Sequence, residues 1–249
     1  MSVTAIKSKE SAAPPPPLPS LLRILVLTTI AGFILTAVLG LVVAGTDIEQ
    51  GQVQRLFYVH MPSFFGAFTA FAATVFGGIA YLRTRNPKWD RLALAGVEVG
   101  FALAIVNLLT GSVWARPIWN TWWTWDPRLT SAAIMVLTYA AYLMLRSGID
   151  NPETRRRFAS VYGILAFSTV LLTLFIIRLR DDTIHPVVVG ASPQNAQGTF
   201  EATSGVVIAL IPSLIFWTTL VPITLMWLRM RLEQMRDYAA QRRLEALES

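Results

Sequence analysis

Six apolar runs, each long enough to cross a bilayer, fix the architecture this chain can adopt. They occupy residues 21–44, 57–82, 92–113, 129–145, 158–177 and 206–228. A transmembrane α-helix needs about 20 mainly apolar residues, because it rises about 1.5 Å per residue across about 30 Å of hydrocarbon. The runs use most of the 249 residues and leave only short connections, so no sizeable soluble domain fits beside them. Charge agrees: 14% of residues are charged, against about 25% in an ordinary soluble domain, and the mean hydropathy is +0.52. The expectation is an all-α polytopic membrane protein with six transmembrane helices. It comprises a Pro-rich tail (1–20), a membrane domain (21–229) and a basic tail (230–249). Pro14 to Pro17 favour an extended polyproline stretch and stop any helix there. The apolar run that follows is too long for a signal peptide and lacks a small-residue cleavage site, so it reads as the first span. No internal repeat is evident.

Lysine and arginine orient the spans. Lys7, Lys9 and Arg23, then Arg83, Arg85, Lys88 and Arg91, then Arg146, Arg155, Arg156 and Arg157, and finally Arg229, Arg231, Arg236, Arg242 and Arg243 all fall on one side. That is 16 of the 21 basic residues, and only Arg55, Arg116, Arg128, Arg178 and Arg180 fall on the other. The bias predicts that both termini are cytoplasmic. It also turns the net charge of +6 into a topology signal, with no need for a nucleic-acid partner. The basic tail from Arg229 reads as a solvated helix or one lying on membrane lipid. Three external loops result: 45–56, 114–128 and 178–205.

The second external loop holds five of the eight tryptophans within twelve residues: Trp114, Trp119, Trp122, Trp123 and Trp125. Interfacial anchoring explains one or two tryptophans per helix end. Five in one loop point to a flat aromatic shelf for a large planar apolar ligand, since indole supplies area, stacking and an N–H donor. Asp126-Pro127 is a helix start, with Asp as N-cap and Pro at the first helical position, so a change at Asp126 is expected to disturb the shelf. The only two histidines, His60 and His185, lie on the same external side. Neutral imidazole is a common axial ligand of heme iron, and two of them beside an aromatic shelf suit a six-coordinate heme. A quinone site would use the same shelf with one histidine as donor. Arg116 and Arg128 bracket the loop and suit two propionates, or equally headgroups or loop carbonyls. With no cysteine in the chain, disulfides, zinc thiolates, iron–sulfur clusters and thioether-attached heme are excluded. Within the third span, Glu98 and Asn107 are polar and intramembrane ionisable residues mark function by default. Glu98 lies near the cytoplasmic end, where Arg91 or another basic residue would pair with it. Pro212 and Pro222 are expected to kink the sixth span.

The run Gly111-Ser112-Val113-Trp114, continued by Trp122-Trp123-Thr124-Trp125-Asp126-Pro127-Arg128-Leu129-Thr130-Ser131, resembles the WWD signature of the heme-handling proteins of cytochrome c biogenesis. The chain length, the six spans and one histidine on each side of the motif resemble the CcmC branch of that family. Tyr58-Val59-His60-Met61-Pro62 is similar to its first-histidine segment. The resemblance spans nearly the whole chain. Family members commonly carry tryptophans just before the second histidine, where this chain has Arg178, Arg180, Asp181 and Asp182.

The resemblance implies that His60 and His185 are axial ligands of a reversibly bound heme b. It implies that Trp119, Trp122, Trp123 and Trp125, with Asp126, hold the heme at the outer face of the inner membrane. The partners implied are a periplasmic heme chaperone (CcmE-type), an ABC-type ATPase and its membrane subunit (CcmA/CcmB-type) and a small membrane peptide (CcmD-type). The chain is then a scaffold for heme delivery and not an enzyme. Competing expectations are a membrane transporter of heme or a small solute, and a quinone-linked redox subunit.

Overall fold

The computed structural model describes residues 17–188, 190–197 and 203–247. Lys7, Lys9 and Pro14 to Pro16 of the N-terminal tail lie outside them. The helices are α1 (Ser20–Val38), α2 (Phe57–Thr84), α3 (Pro87–Trp119), α4 (Pro127–Ser147), α5 (Pro152–Leu179), α6 (Ser204–Ile215) and α7 (Val221–Leu247). α1 continues through a π-turn, Leu39–Val43, and α2 is entered through a 3-10 turn, Gln52–Leu56. A second π-turn, Phe216–Leu220, joins α6 to α7 in one continuous rod. Six rods are therefore long and apolar enough to cross a membrane, and no β-strand occurs among the described residues. The chain is an all-α polytopic membrane protein with six spans.

Three helices start by the same sequence device. Asn86-Pro87, Asp126-Pro127 and Asn151-Pro152 each place a capping side chain before a proline whose missing N–H costs nothing at the first helical position. Asn86 accepts from the Lys88 amide, Asp126 from Leu129, and Asn151 from Glu153 and Thr154, at 2.8–3.0 Å.

Two helix ends differ from the sequence expectation. α3 runs past residue 113 to Trp119, so Trp114 and Arg116 stand on a helix and not in a loop. Pro117 falls in the final turn, and the helix stops only at Asn120, whose φ is 54°. The last rod extends to Leu247, well beyond residue 228, so the basic tail is a helix, as expected, but one continuous with the sixth span. Pro222 stands two residues past the Phe216–Leu220 π-turn, a local widening of the kind that accompanies helix-interior prolines.

α2 is the centre of the bundle. It packs on α3, α5 and the Phe216–Leu220 turn. Close approach to α3 depends on small residues: a Cβ added at Gly96 would meet the Ala70 carbonyl and the Thr74 hydroxyl at 2.5 Å. Thr74 uses that approach to donate to the Ala93 carbonyl at 3.1 Å. Phe71 stacks on Tyr139 of α4 with centroids 3.6 Å apart. Leu27, Phe33, Phe76, Leu137 and Leu165 are exposed on the outside of the bundle, as lipid-facing residues are.

Ion pairs hold one end. Asp90 of α3 takes two hydrogen bonds from Arg146 of α4, at 2.6 and 2.7 Å, and Arg156 of α5 lies 3.6 Å away. Glu98 pairs with a basic residue, as anticipated, and that residue is Arg229 of α7. The other end of α2 and α3 carries His60 and the tryptophan-rich segment 114–125, with His185 in a loop beside them.

Candidate functional site

His60 sits one turn into α2, just before Pro62. Its Nδ1 donates to the Asn107 carbonyl of α3 at 3.0 Å, with the Thr110 hydroxyl at 3.3 Å. The Asn107 amide donates to the His60 carbonyl at 2.7 Å, which ties the two helices together there. The bare Cα of Gly111 makes room for the ring: a Cβ at that position would lie 2.8 Å from His60 Cε1. His185 lies in the loop between α5 and α6. Its amide donates to the Thr183 hydroxyl at 3.2 Å, and its Nδ1 donates to the Pro186 carbonyl at 2.7 Å. A carbonyl partner at Nδ1 favours the tautomer whose lone pair is on Nε2, and the Asn107 amide nitrogen, 3.3 Å from His60 Nδ1, makes its shorter bond to the His60 carbonyl. Both rings thus keep Nε2 available, and their centroids stand 6.4 Å apart with planes inclined by 32°. Burial, then the Arg128 charge, push the His185 ring down to about 4, so it is neutral at physiological pH.

The tryptophans frame this pair. Trp114 meets His60 edge-on at 5.7 Å, and Trp119 meets His185 at 6.1 Å. Both indole N–H groups reach across to other loops: Trp114 donates to the Gln50 side chain at 2.9 Å and Trp119 to the Gln197 carbonyl at 3.2 Å. The Gln197 amide in turn donates to the Ile184 carbonyl at 2.8 Å. Asp126 divides its oxygens. Oδ1 caps α4, and Oδ2 accepts from the Thr183 hydroxyl at 2.6 Å and the Ile184 amide at 3.0 Å.

These elements enclose a cavity of about 430 Å³, within the roughly 300–1,000 Å³ typical of small-molecule sites. Its walls are mainly apolar and include Phe64, Phe65, Leu174 and Phe175. Of the ten residues singled out from the sequence, His60, His185, Trp114, Trp119, Trp122, Trp123 and Arg128 line it. Trp125 does not: it is 77% exposed and borders a separate shallow groove with Arg180 and Asp182. Arg116 turns to the end of its own helix and bonds Asn120, at 2.8 Å to the carbonyl. Asp126 sits behind the wall. Arg128 donates to the Thr173 carbonyl and lies 4.9 Å over the Phe64 ring.

Sequence reasoning places Arg178 among the five external cations without choosing it, and it is the second arginine in the wall, bonded to the Ala191 carbonyl at 3.0 Å. Gly111 and Gln50 are equally unassigned by sequence. Only Asn107 carries a signal, as an amide inside an apolar span.

The lining contains two histidines and two arginines but no carboxylate. Two imidazole nitrogens are too few to hold a bare metal ion, and no group of three or more metal-ligating side chains occurs among the described residues. Two ligands on opposite sides do suit a metal that brings an equatorial set of its own. The indole N–H of Trp123, buried and without a partner among the described residues, is a donor in the same wall. The cavity thus joins mainly apolar walls to two imidazoles, two guanidinium groups and one indole donor.

The family model described as "Heme exporter protein C" matches residues 17–245. Heme exporter protein C of Paracoccus denitrificans is 28% identical over 221 residues, 88% of either chain. The protein of the same name from Bradyrhizobium diazoefficiens is 29% identical over 205 residues, 82% of this chain and 74% of the relative. That of Haemophilus influenzae is 30% identical over 133 residues, 53% of each. With the family model covering nearly its whole length, the chain belongs to the heme exporter protein C family.

Proposed function

We propose that this protein binds heme b reversibly between His60 and His185 at the periplasmic face of the cytoplasmic membrane, and presents it to a soluble-domain heme chaperone for cytochrome c maturation. The observation that carries the reading is the histidine pair. Two metal–imidazole bonds of about 2 Å each, added to the inner halves of two rings, span about 6 Å, and the centroids lie 6.4 Å apart with both Nε2 atoms available. The relatives' name supplies the cargo, and the cavity's chemistry fits it: aromatic and aliphatic walls for a porphyrin, Arg128, Arg178 and the Trp123 N–H for its propionates.

The same features make delivery feasible. No cysteine is present to fix a heme covalently, so only coordination and packing retain it, and an acceptor histidine replaces one axial ligand by exchange. Trp122, 58% exposed, extends the shelf from the cavity to the surface where a chaperone domain would dock. The CcmA/CcmB-type ATPase and membrane subunit and the CcmD-type peptide belong to the same reading. The chain itself turns over no bond, and its role is that of a scaffold.

Protein purified in mild detergent from heme-replete cells should carry heme that a pyridine hemochrome assay identifies as b-type, with a low-spin six-coordinate spectrum. A preparation that is heme-free and fails to take up added hemin overturns the proposal. Gly111→Ala tests the seat of His60 separately. Its Cβ would press on Cε1, and such overpacking costs about 1–3 kcal/mol, so heme affinity should drop roughly tenfold per 1.4 kcal/mol while the yield of folded protein stays near normal. Unchanged hemin affinity in that variant means the ring is not held where α3 places it.

A further inference from the structure

We infer that Asp126 is a positioning residue for His185, acting through Thr183, and not a contact for the cargo. The inference rests on the proposed heme site and goes beyond it by assigning what seats the second ligand. His185 has no helix to hold it. It lies on an irregular connection, and among the described residues its ring is hydrogen-bonded only to the carbonyl of the next residue. What anchors the segment is a short chain of hydrogen bonds: Asp126 Oδ2 takes the Thr183 hydroxyl at 2.6 Å and the Ile184 amide at 3.0 Å, and the same hydroxyl oxygen accepts from the His185 amide at 3.2 Å. Thr183 is fully buried at this junction. A hydroxyl that donates to a carboxylate while accepting from an amide is oriented by both partners, and bonds to an ionised acceptor are about twice as strong as neutral ones.

The other oxygen of Asp126 starts α4. One side chain therefore locks the tryptophan loop, the α4 N-terminus and the histidine loop into a single unit. That explains why an acidic residue should follow a run of tryptophans beside a wall that lacks carboxylates. The negative charge stays outside the cavity, where it would repel propionates, and is spent on the loop that carries the ligand.

Asp126→Asn separates the two roles. Its remaining oxygen still caps α4, whereas its amide would face the Ile184 N–H, donor against donor. Hydrogen exchange of the 183–188 segment in heme-free protein should rise about tenfold, the loss expected when a charge-assisted bond goes. In hemin-loaded protein the spectrum should shift from low-spin to a high-spin fraction, and added imidazole should restore the low-spin form. Thr183→Val should do the same, and Thr183→Ser should behave as wild type, which keeps the test available if Asp126→Asn does not accumulate.

Unchanged exchange in both Asp126→Asn and Thr183→Val overturns the inference. So does faster exchange with an unchanged low-spin spectrum, because the latch would then not be what seats His185. A wild type that binds no hemin removes the heme reading instead, and the exchange measurements still decide whether Asp126 holds the loop.

Discussion

His60→Ala should strip the purified protein of nearly all its heme. The expected loss exceeds the 10- to 100-fold that removing an outer partner of a metal ligand typically costs, since here the ligand itself goes. Three features of α3 hold the His60 ring in place, namely the Asn107 carbonyl, the Thr110 hydroxyl and the gap left by Gly111. No other histidine exists besides His185. Free imidazole should enter the hole left by the ring and restore the six-coordinate spectrum, which a folding defect would not allow. His185→Ala should lose heme as well, yet less completely, because its ring is seated by a loop and His60 by two helices. Full heme occupancy with a low-spin spectrum in His60→Ala would sink the histidine pair as the ligand set.

How far the sequence foretold this site depends on residue type. The bundle was legible because apolar runs of bilayer length allow one solution. The histidines and tryptophans were legible because they are rare and crowded: two histidines on one side and five tryptophans in twelve residues. Roles that depend on helix register were not. Bracketing the tryptophan loop favoured Arg116 over Arg178, yet the extension of α3 past Pro117 turns Arg116 back onto Asn120 while α5 brings Arg178 to the wall. Gly111 reads as one more small residue in an apolar span until the His60 ring is seen against it. Asp126 announced its cap through Asp-Pro, a local signal. Its second bond, to Thr183, joins residues 57 apart and leaves no trace in spacing. Glu98 had to find a base near its end of the span, but the choice of Arg229 depended on α7 packing against α3.

Asp90→Ala should be the most damaging change away from the site. Asp90 is 3% exposed, and Arg146 holds both its oxygens, at 2.6 and 2.7 Å, with Arg156 3.6 Å away. It also stands in the first turn of α3, where a negative charge complements the helix dipole. Deleting it leaves the Arg146 guanidinium, 12% exposed, without its counter-charge, a defect of about 3–5 kcal/mol. That is a large share of the roughly 5–15 kcal/mol typical of whole-domain stability. The purified variant should melt well below wild type in detergent and accumulate poorly. Because the cost comes mostly from the stranded partner, Asp90→Ala combined with Arg146→Met should recover part of the loss, and the double-mutant cycle should show strong coupling. Whatever Asp90→Ala protein survives should still bind hemin in the low-spin form, since the pair ties α3 to α4 and α5 at the end opposite His60. The two variants thus pull stability and cargo apart: His60→Ala empties a bundle that stands, and Asp90→Ala weakens a bundle that still holds heme. A melting temperature equal to wild type in Asp90→Ala would show that this ion pair does not hold that end of the bundle.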